Sequence, residues 1–217
     1  PGKISLRSNG DYSGSVTVGS LQTGNQENDA VLIRTDHDVF DAADEEGAPL
    51  DGDVDIVAAF GGLTVFSGTG TSLDTTVARL TITNALNDDV DIDETDNLSI
   101  LEVEQTVTGS IGVTAGGSMT VAPAPGGQGV HIDGATANND TIELFAESGD
   151  LIVEQVVTNT STGADADITL KAEGAESDVI IRHDVTAEGG NILALADYDV
   201  LQQQDSANTD HGILATH

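Results

Sequence analysis

The sequence predicts an all-β chain wound as an elongated β-solenoid of about eight irregular coils, and three observations carry that expectation. The hydrophobic pattern has a period of two. Its alternating stretches recur at intervals of about 24 to 31 residues. The composition suits a thin core of small aliphatic side chains. A β-sandwich shares both the alternation and the turn spacing, and it stands as the alternative.

The alternation is clear in Ile4-Ser5-Leu6, Val16-Thr17-Val18, Leu80-Thr81-Ile82, Ile111-Gly112-Val113, Met119-Thr120-Val121 and Ile168-Thr169-Leu170. Each lies in a short stretch bounded by Gly, Asn, Asp or Ser, the signature of strands joined by turns. Val and Ile together outnumber Leu about two to one, as extended backbone prefers. Residues 41–47, acidic and rich in Ala, are the one place where a short helical turn is expected. The recurrence is read from the pattern Ile-x-x-x-Ala, which begins at Ile111, Ile142, Ile168 and Ile192. A second string, Val103-Glu104-Gln105-Thr106-Val107-Thr108, matches Val153-Glu154-Gln155-Val156-Val157-Thr158 and supports the same alignment. Further strands follow a corner at 118–121, 150–153 and 178–181. In the N-terminal half, strands starting at Ile4, Val31, Ile56 and Leu98 are candidates for the same ladder. Two or three short strands per repeat describe one solenoid coil. Coils spaced about 4.8 Å apart would make a rod roughly 40 Å long.

The charge balance excludes several partners. There are 38 Asp and Glu against 6 Lys and Arg, a formal net charge of -32. Nucleic acid binding needs a basic patch, so nucleic acid is not expected as a partner. Docking on anionic lipid is disfavoured for the same reason, and no apolar run is long enough for membrane insertion. Val, Ile, Leu and Phe still make up about a quarter of the chain, enough for a core. Aromatic residues are only 3% and Trp is absent, so the core must be narrow. With no Cys there is no disulfide framework and no thiolate metal site. Residues 1–217 are read as a single solenoid segment, with irregular coils and acidic loops over 1–96 and more regular coils over 97–217. The chain opens at Pro1 without an initiator Met, and is read as a fragment of something longer.

Residues 97–212 resemble the repetitive passenger regions of large bacterial exoproteins, filamentous-haemagglutinin-like proteins and autotransporter adhesins among them. The resemblance lies in phrases such as Asp167-Ile-Thr-Leu-Lys-Ala-Glu-Gly, Val185-Thr-Ala-Glu-Gly-Gly-Asn-Ile-Leu-Ala and Ile111-Gly-Val-Thr-Ala-Gly-Gly-Ser-Met-Thr-Val. It covers about half the chain and is a likeness of repeat style, not of a catalytic signature. It implies a right-handed β-helix and a rod-like part of a secreted or cell-surface protein. This sequence departs from the pattern in its acidity and in its irregular residues 20–100.

Acidic runs are the candidate sites. Asp89, Asp91 and Asp93 alternate, which would place three carboxylates on one side of an extended segment. Asp51, Asp53 and Asp55 repeat the alternation, and Asp36, Asp38, Asp41, Asp44, Glu45 and Glu46 form a third cluster. Ca²⁺ takes six to eight oxygen ligands, so these runs make Ca²⁺ the expected cofactor. They do not form an EF-hand loop, which needs Gly at its sixth position and a closing Glu. The alternative for each is a solvated acidic face. The histidines, His37, His131, His183, His211 and His217, show no helical zinc spacing, and His183 beside Asp184 is read as a corner.

The expected function follows from repetition and from missing chemistry. No nucleophile elbow or cofactor loop is recognisable. The chain is therefore expected to be a non-catalytic structural or adhesive rod segment, extracellular or on the cell surface and stiffened by Ca²⁺. Its expected partners are the remainder of its own chain, neighbouring surface proteins and glycans. The alternative is a polysaccharide-active β-helix, a lyase or hydrolase. Against it stand the few aromatic platforms, Tyr12, Tyr198 and four Phe, and the scarcity of Lys and Arg for an acidic substrate.

Overall fold

A computed structural model describes residues 2–8, 14–42, 53–134 and 137–203, and the backbone of 213–215. Among them there is no helix, and every regular element is a strand. The first strands are β1 (Ile4–Arg7), β2 (Val16–Val18), β3 (Leu21–Gln22), β4 (Val31–Arg34) and β5 (Val39–Asp41). Two long ones follow, β6 (Ile56–Ser67) and β7 (Thr71–Asn84), then β8 (Val90–Glu94), β9 (Leu98–Gln105), β10 (Ile111–Ala115) and β11 (Met119–Val121). Next come β12 (Gly129–Ile132), β13 (Ile142–Ala146), β14 (Leu151–Val153), β15 (Val157–Asn159) and β16 (Ile168–Ala172). The last are β17 (Val179–Ile181), β18 (Val185–Ala187), β19 (Ile192–Ala196), β20 (Val200–Gln202) and β21 (Ile213–Ala215). The helical turn expected over 41–47 falls largely outside the described residues, and Asp41 itself closes β5.

Each strand pairs with one from a neighbouring repeat, and every pairing among the described residues is parallel. Antiparallel Greek-key pairing, which the sandwich alternative requires, is absent from them. The fold is a β-solenoid. One ladder runs Val16, Val39, Thr71, Val90, Ile111, Ile142, Ile168 and Ile192, in register throughout. A second runs Leu6, Ile33, Val65, Ile82, Val103, Val130, Val157 and Val185. The third links Ile100, Val121, Val153 and Ile181. Register shifts occur in the β6–β7 and β7–β9 pairs, at Ala58/Gly62 and Leu80/Thr81.

The core is the space enclosed by these ladders. Ile111, Val113, Ile142, Leu144, Ile168 and Leu170 are buried as expected, each stacked on its counterpart one rung away. Full burial of such a side chain contributes roughly 1.5 to 3 kcal/mol. Ile192 is only half-buried.

Two alignments need correction. The strands at Ile4 and Val31 place Leu6 and Ile33 in the second ladder, and that at Leu98 pairs with Met119, outside the Ile111 ladder. Ile56 does reach the strands of that ladder, stacking through Thr75 and Glu94 on Ala115. The matching strings at Val103 and Val153 are not equivalent either, because Val103 stacks with Val130 and Val157 while Val153 stacks with Val121. A Val alternating with polar residues satisfies any face, so likeness of strings does not determine which ladder a strand joins.

Buried amides close the corners. The Asn84 side chain donates to the carbonyls of Asn87 (3.1 Å) and Asp88 (2.9 Å), and that of Asn159 donates to Asp140 (2.7 Å) and Ala166 (3.1 Å). Gln105, in register between them, donates to the Thr108 carbonyl. These bonds satisfy turn carbonyls that the ladders leave without partners. Gly109 shows why corners need glycine: its φ is +125°, and a Cβ there would sit 2.2 Å from the Asp88 carbonyl oxygen.

Candidate cation-binding sites

The strand β8 explains where the first acidic run points. Val90, Ile92 and Glu94 face the core, so Asp91 and Asp93 face outward by the period of two. Asp89 lies just before the strand and is exposed. Asp89 and Asp91 border a cleft of about 430 Å³ that also takes in Asp38, Thr69 and Asp88. Its origin is a gap in the stack. Asp38, Gly70 and Asp89 precede the in-register residues Val39, Thr71 and Val90, and the middle one has no side chain. Asp38 accepts hydrogen bonds from Ser15 Oγ (3.3 Å) and Thr69 Oγ1, and Asp89 Oδ1 accepts one from the Ser110 backbone N–H (2.7 Å). Partial burial raises the Asp91 carboxyl above its ordinary value, and repulsion from Asp89, Asp93 and Glu143 adds to it. Burial also raises Asp93, which projects beside the cleft and does not line it. The structure thus joins two of the three expected ligands to Asp38 and Asp88.

The second run behaves differently. Asp51 lies outside the described residues, Asp53 is exposed and Asp55 is buried. The alternation fails because β6 begins only at Ile56, and Asp55 and Ile56 are both turned inward. Asp55 meets Asp41 and Asp74, also buried, and accepts a hydrogen bond from the Asp74 backbone N–H (3.1 Å). Burial pushes the Asp55 carboxyl up to about 8, with a hydrogen bond to Asp41 and repulsion from Asp41 and Asp74 acting the same way.

Glu94 was not anticipated. It occupies the inward position held by Ala115, Ala146, Ala172 and Ala196 on later rungs, and it is fully buried. Its Oε2 accepts from the Val77 backbone N–H (2.7 Å) and Thr75 Oγ1 (2.8 Å), and its Oε1 from the Asp96 N–H (3.2 Å). Burial outweighs these bonds and raises its carboxyl to about 7. The signal was present, because Val90-Asp-Ile-Asp-Glu94 has the same alternation as Ile111-Gly-Val-Thr-Ala115.

Among the histidines, His37 is exposed, and His211 and His217 lie outside the described residues. His183 sits at a corner, where its Nδ1 accepts from the Asp184 N–H (2.9 Å). Next to it Arg182 ties two rungs together through Glu154 (2.6 Å) and Gln203 (3.1 Å). His131 is buried, and Glu104 and Asp133 come close to it. That group was not legible in the sequence, because Glu104 belongs to the preceding rung. Comparison with family models, curated proteins and solved structures finds no match.

Proposed function

We propose that the chain is a non-catalytic structural and adhesive rod segment of a large secreted or cell-surface protein. In this reading it winds as about eight right-handed coils, the hand that parallel crossovers almost always take. The observation that carries it is the continuous parallel register of the ladders, an architecture that grows along one axis and spends its sequence on stacking. Support also comes from β19, where Ile192, Ala194 and Ala196 are half-buried while Ile168, Leu170 and Ala172 beneath them are buried. That uneven cover favours a further coil of its own chain as the nearest partner, with surface proteins or glycans along the sides. Calcium enters through the cleft of Asp38, Asp88, Asp89 and Asp91, which gathers oxygen ligands as a hard cation requires.

The test pairs shape with chemistry. Small-angle scattering should give an elongated particle of constant cross-section, and a screen of acidic and neutral polysaccharides should show no turnover. Turnover abolished by Asp89→Asn or Asp91→Asn would replace this reading with a polysaccharide-active enzyme.

A further inference from the structure

We propose that Glu104, His131 and Asp133 form a binding site for one divalent transition-metal ion of the zinc type. The site stands apart from the acidic cleft and does not depend on the rod reading. Glu104 on β9 and His131 on β12 are in-register neighbours on adjacent rungs, and Asp133 follows His131 by two residues, past the end of the strand. One ligand atom from each lies within 4.8 Å of the others.

Three features point to an ion. His131 occupies the outward phase of its strand, in register with Glu104 and Thr158, yet it is 4% exposed. Neither of its ring nitrogens has a hydrogen-bond partner among the described residues, an arrangement that is costly for a buried imidazole. Its Nε2 stands 3.5 Å from Glu104 Oε1 and 3.9 Å from Asp133 Oδ2, too far for good hydrogen bonds. Two ligands about 2.1 Å from a shared tetrahedral ion would be separated by about 3.4 Å, close to these spacings. The distances suit ligands around a common centre better than direct pairing.

The donor set selects the metal. One imidazole nitrogen with two carboxylates suits Zn²⁺ and its first-row neighbours, whereas Ca²⁺ prefers oxygen alone. Glu104 is mostly covered and Asp133 is open, with side chains 23% and 54% exposed. The ion would therefore be reached from solvent on the Asp133 side, leaving a fourth position for water. Bound there, it would join two rungs and the corner that follows them.

The test is Zn²⁺ titration of the whole protein by calorimetry in millimolar Ca²⁺, which occupies the acidic surface. One equivalent should bind, and His131→Gln, Glu104→Gln and Asp133→Asn should each weaken it at least tenfold, while His183→Gln leaves it unchanged. Co²⁺ in place of Zn²⁺ should give a visible absorption band that His131→Gln removes. Binding unaffected by His131→Gln, or no binding above the calcium background, overturns the proposal. If His131→Gln does not fold, imidazole nitrogen resonances of the unsubstituted protein decide. Zn²⁺ must shift one histidine, His131, and a shift confined to the other histidines overturns the site.

Discussion

Two buried carboxyls, Glu94 and Asp55, carry an unusual burden for a chain already so acidic. Burial raises the first to about 7 and the second to about 8, from ordinary values near 4. Between roughly pH 4 and 8 the folded chain therefore holds protons that the unfolded chain has released. Stability from these groups is complete below that window and is lost as pH rises through it. The double variant Glu94→Gln, Asp55→Asn keeps the shapes and removes the titration. It should melt higher than the parent at pH 8, by on the order of 5 °C, with the gap closing by about pH 5. Thermal melts of both proteins across that range check this. A gap that does not change with pH would show that neither carboxyl titrates in the window. Nothing in the local sequence marks Asp55, whereas the alternation of Val90 and Ile92 already puts Glu94 on the inward phase. Glu94 follows Asp91 and Asp93 in an acidic run, and only its place on the inward phase of β8 separates it from them.

At the scale of the element, each strand is short and holds its place through its neighbours above and below. Leu144 lies between Val113 and Leu170, and all three are essentially inaccessible. Truncation there leaves a void that flanking rungs cannot fill without breaking register. Leu144→Ala should cost about 2 to 5 kcal/mol, whereas Ile192→Ala, on a half-buried rung, should cost distinctly less. Chemical denaturation of the two variants measures the contrast, and equal losses would mean that the coils do not share one continuous core. On the outer face Phe145 and Lys171 stack across adjacent rungs, the ammonium 4.1 Å from the ring centre. The four-strand ladder from Ile111 to Ile192 was readable because its spacing repeats and its end residue is always Ala. Its continuation through Val90, Thr71 and Val39 was not, since Glu94 and Asp41 break the pattern at inward positions.

For the whole molecule, a net charge of -32 sets the response to ions. At about 0.15 M salt the Debye length is near 8 Å, longer than the spacing of adjacent rungs, so carboxylates on neighbouring coils repel one another. The few opposing contacts, such as Arg182 with Glu154 and Lys171 with Glu173, cannot offset that repulsion. Melting temperature should rise with NaCl. It should rise further with millimolar CaCl₂ at matched ionic strength, and that extra gain should saturate and shrink on Asp89→Asn with Asp91→Asn. A melting temperature that follows ionic strength alone would leave the acidic runs as a solvated face and remove Ca²⁺ from the proposed function.

Period two and the Gly and Asp corners determined by themselves that the chain is all-β. The recurrence at about 24 to 31 residues favoured a solenoid, while parallel pairing in the structure excluded the sandwich. Period two also determined that Asp91 and Asp93 point outward, because alternation depends only on the residue's own strand. Tertiary structure decided which strands share a ladder, that Val103 stacks on Val130 in the column of Val157 and not in that of Val153, and that Asp55 and His131 are buried. Those facts depend on corner lengths and on side chains from rungs 20 to 30 residues away. A pattern with a period of two repeats on every face and cannot record which neighbour a residue will meet.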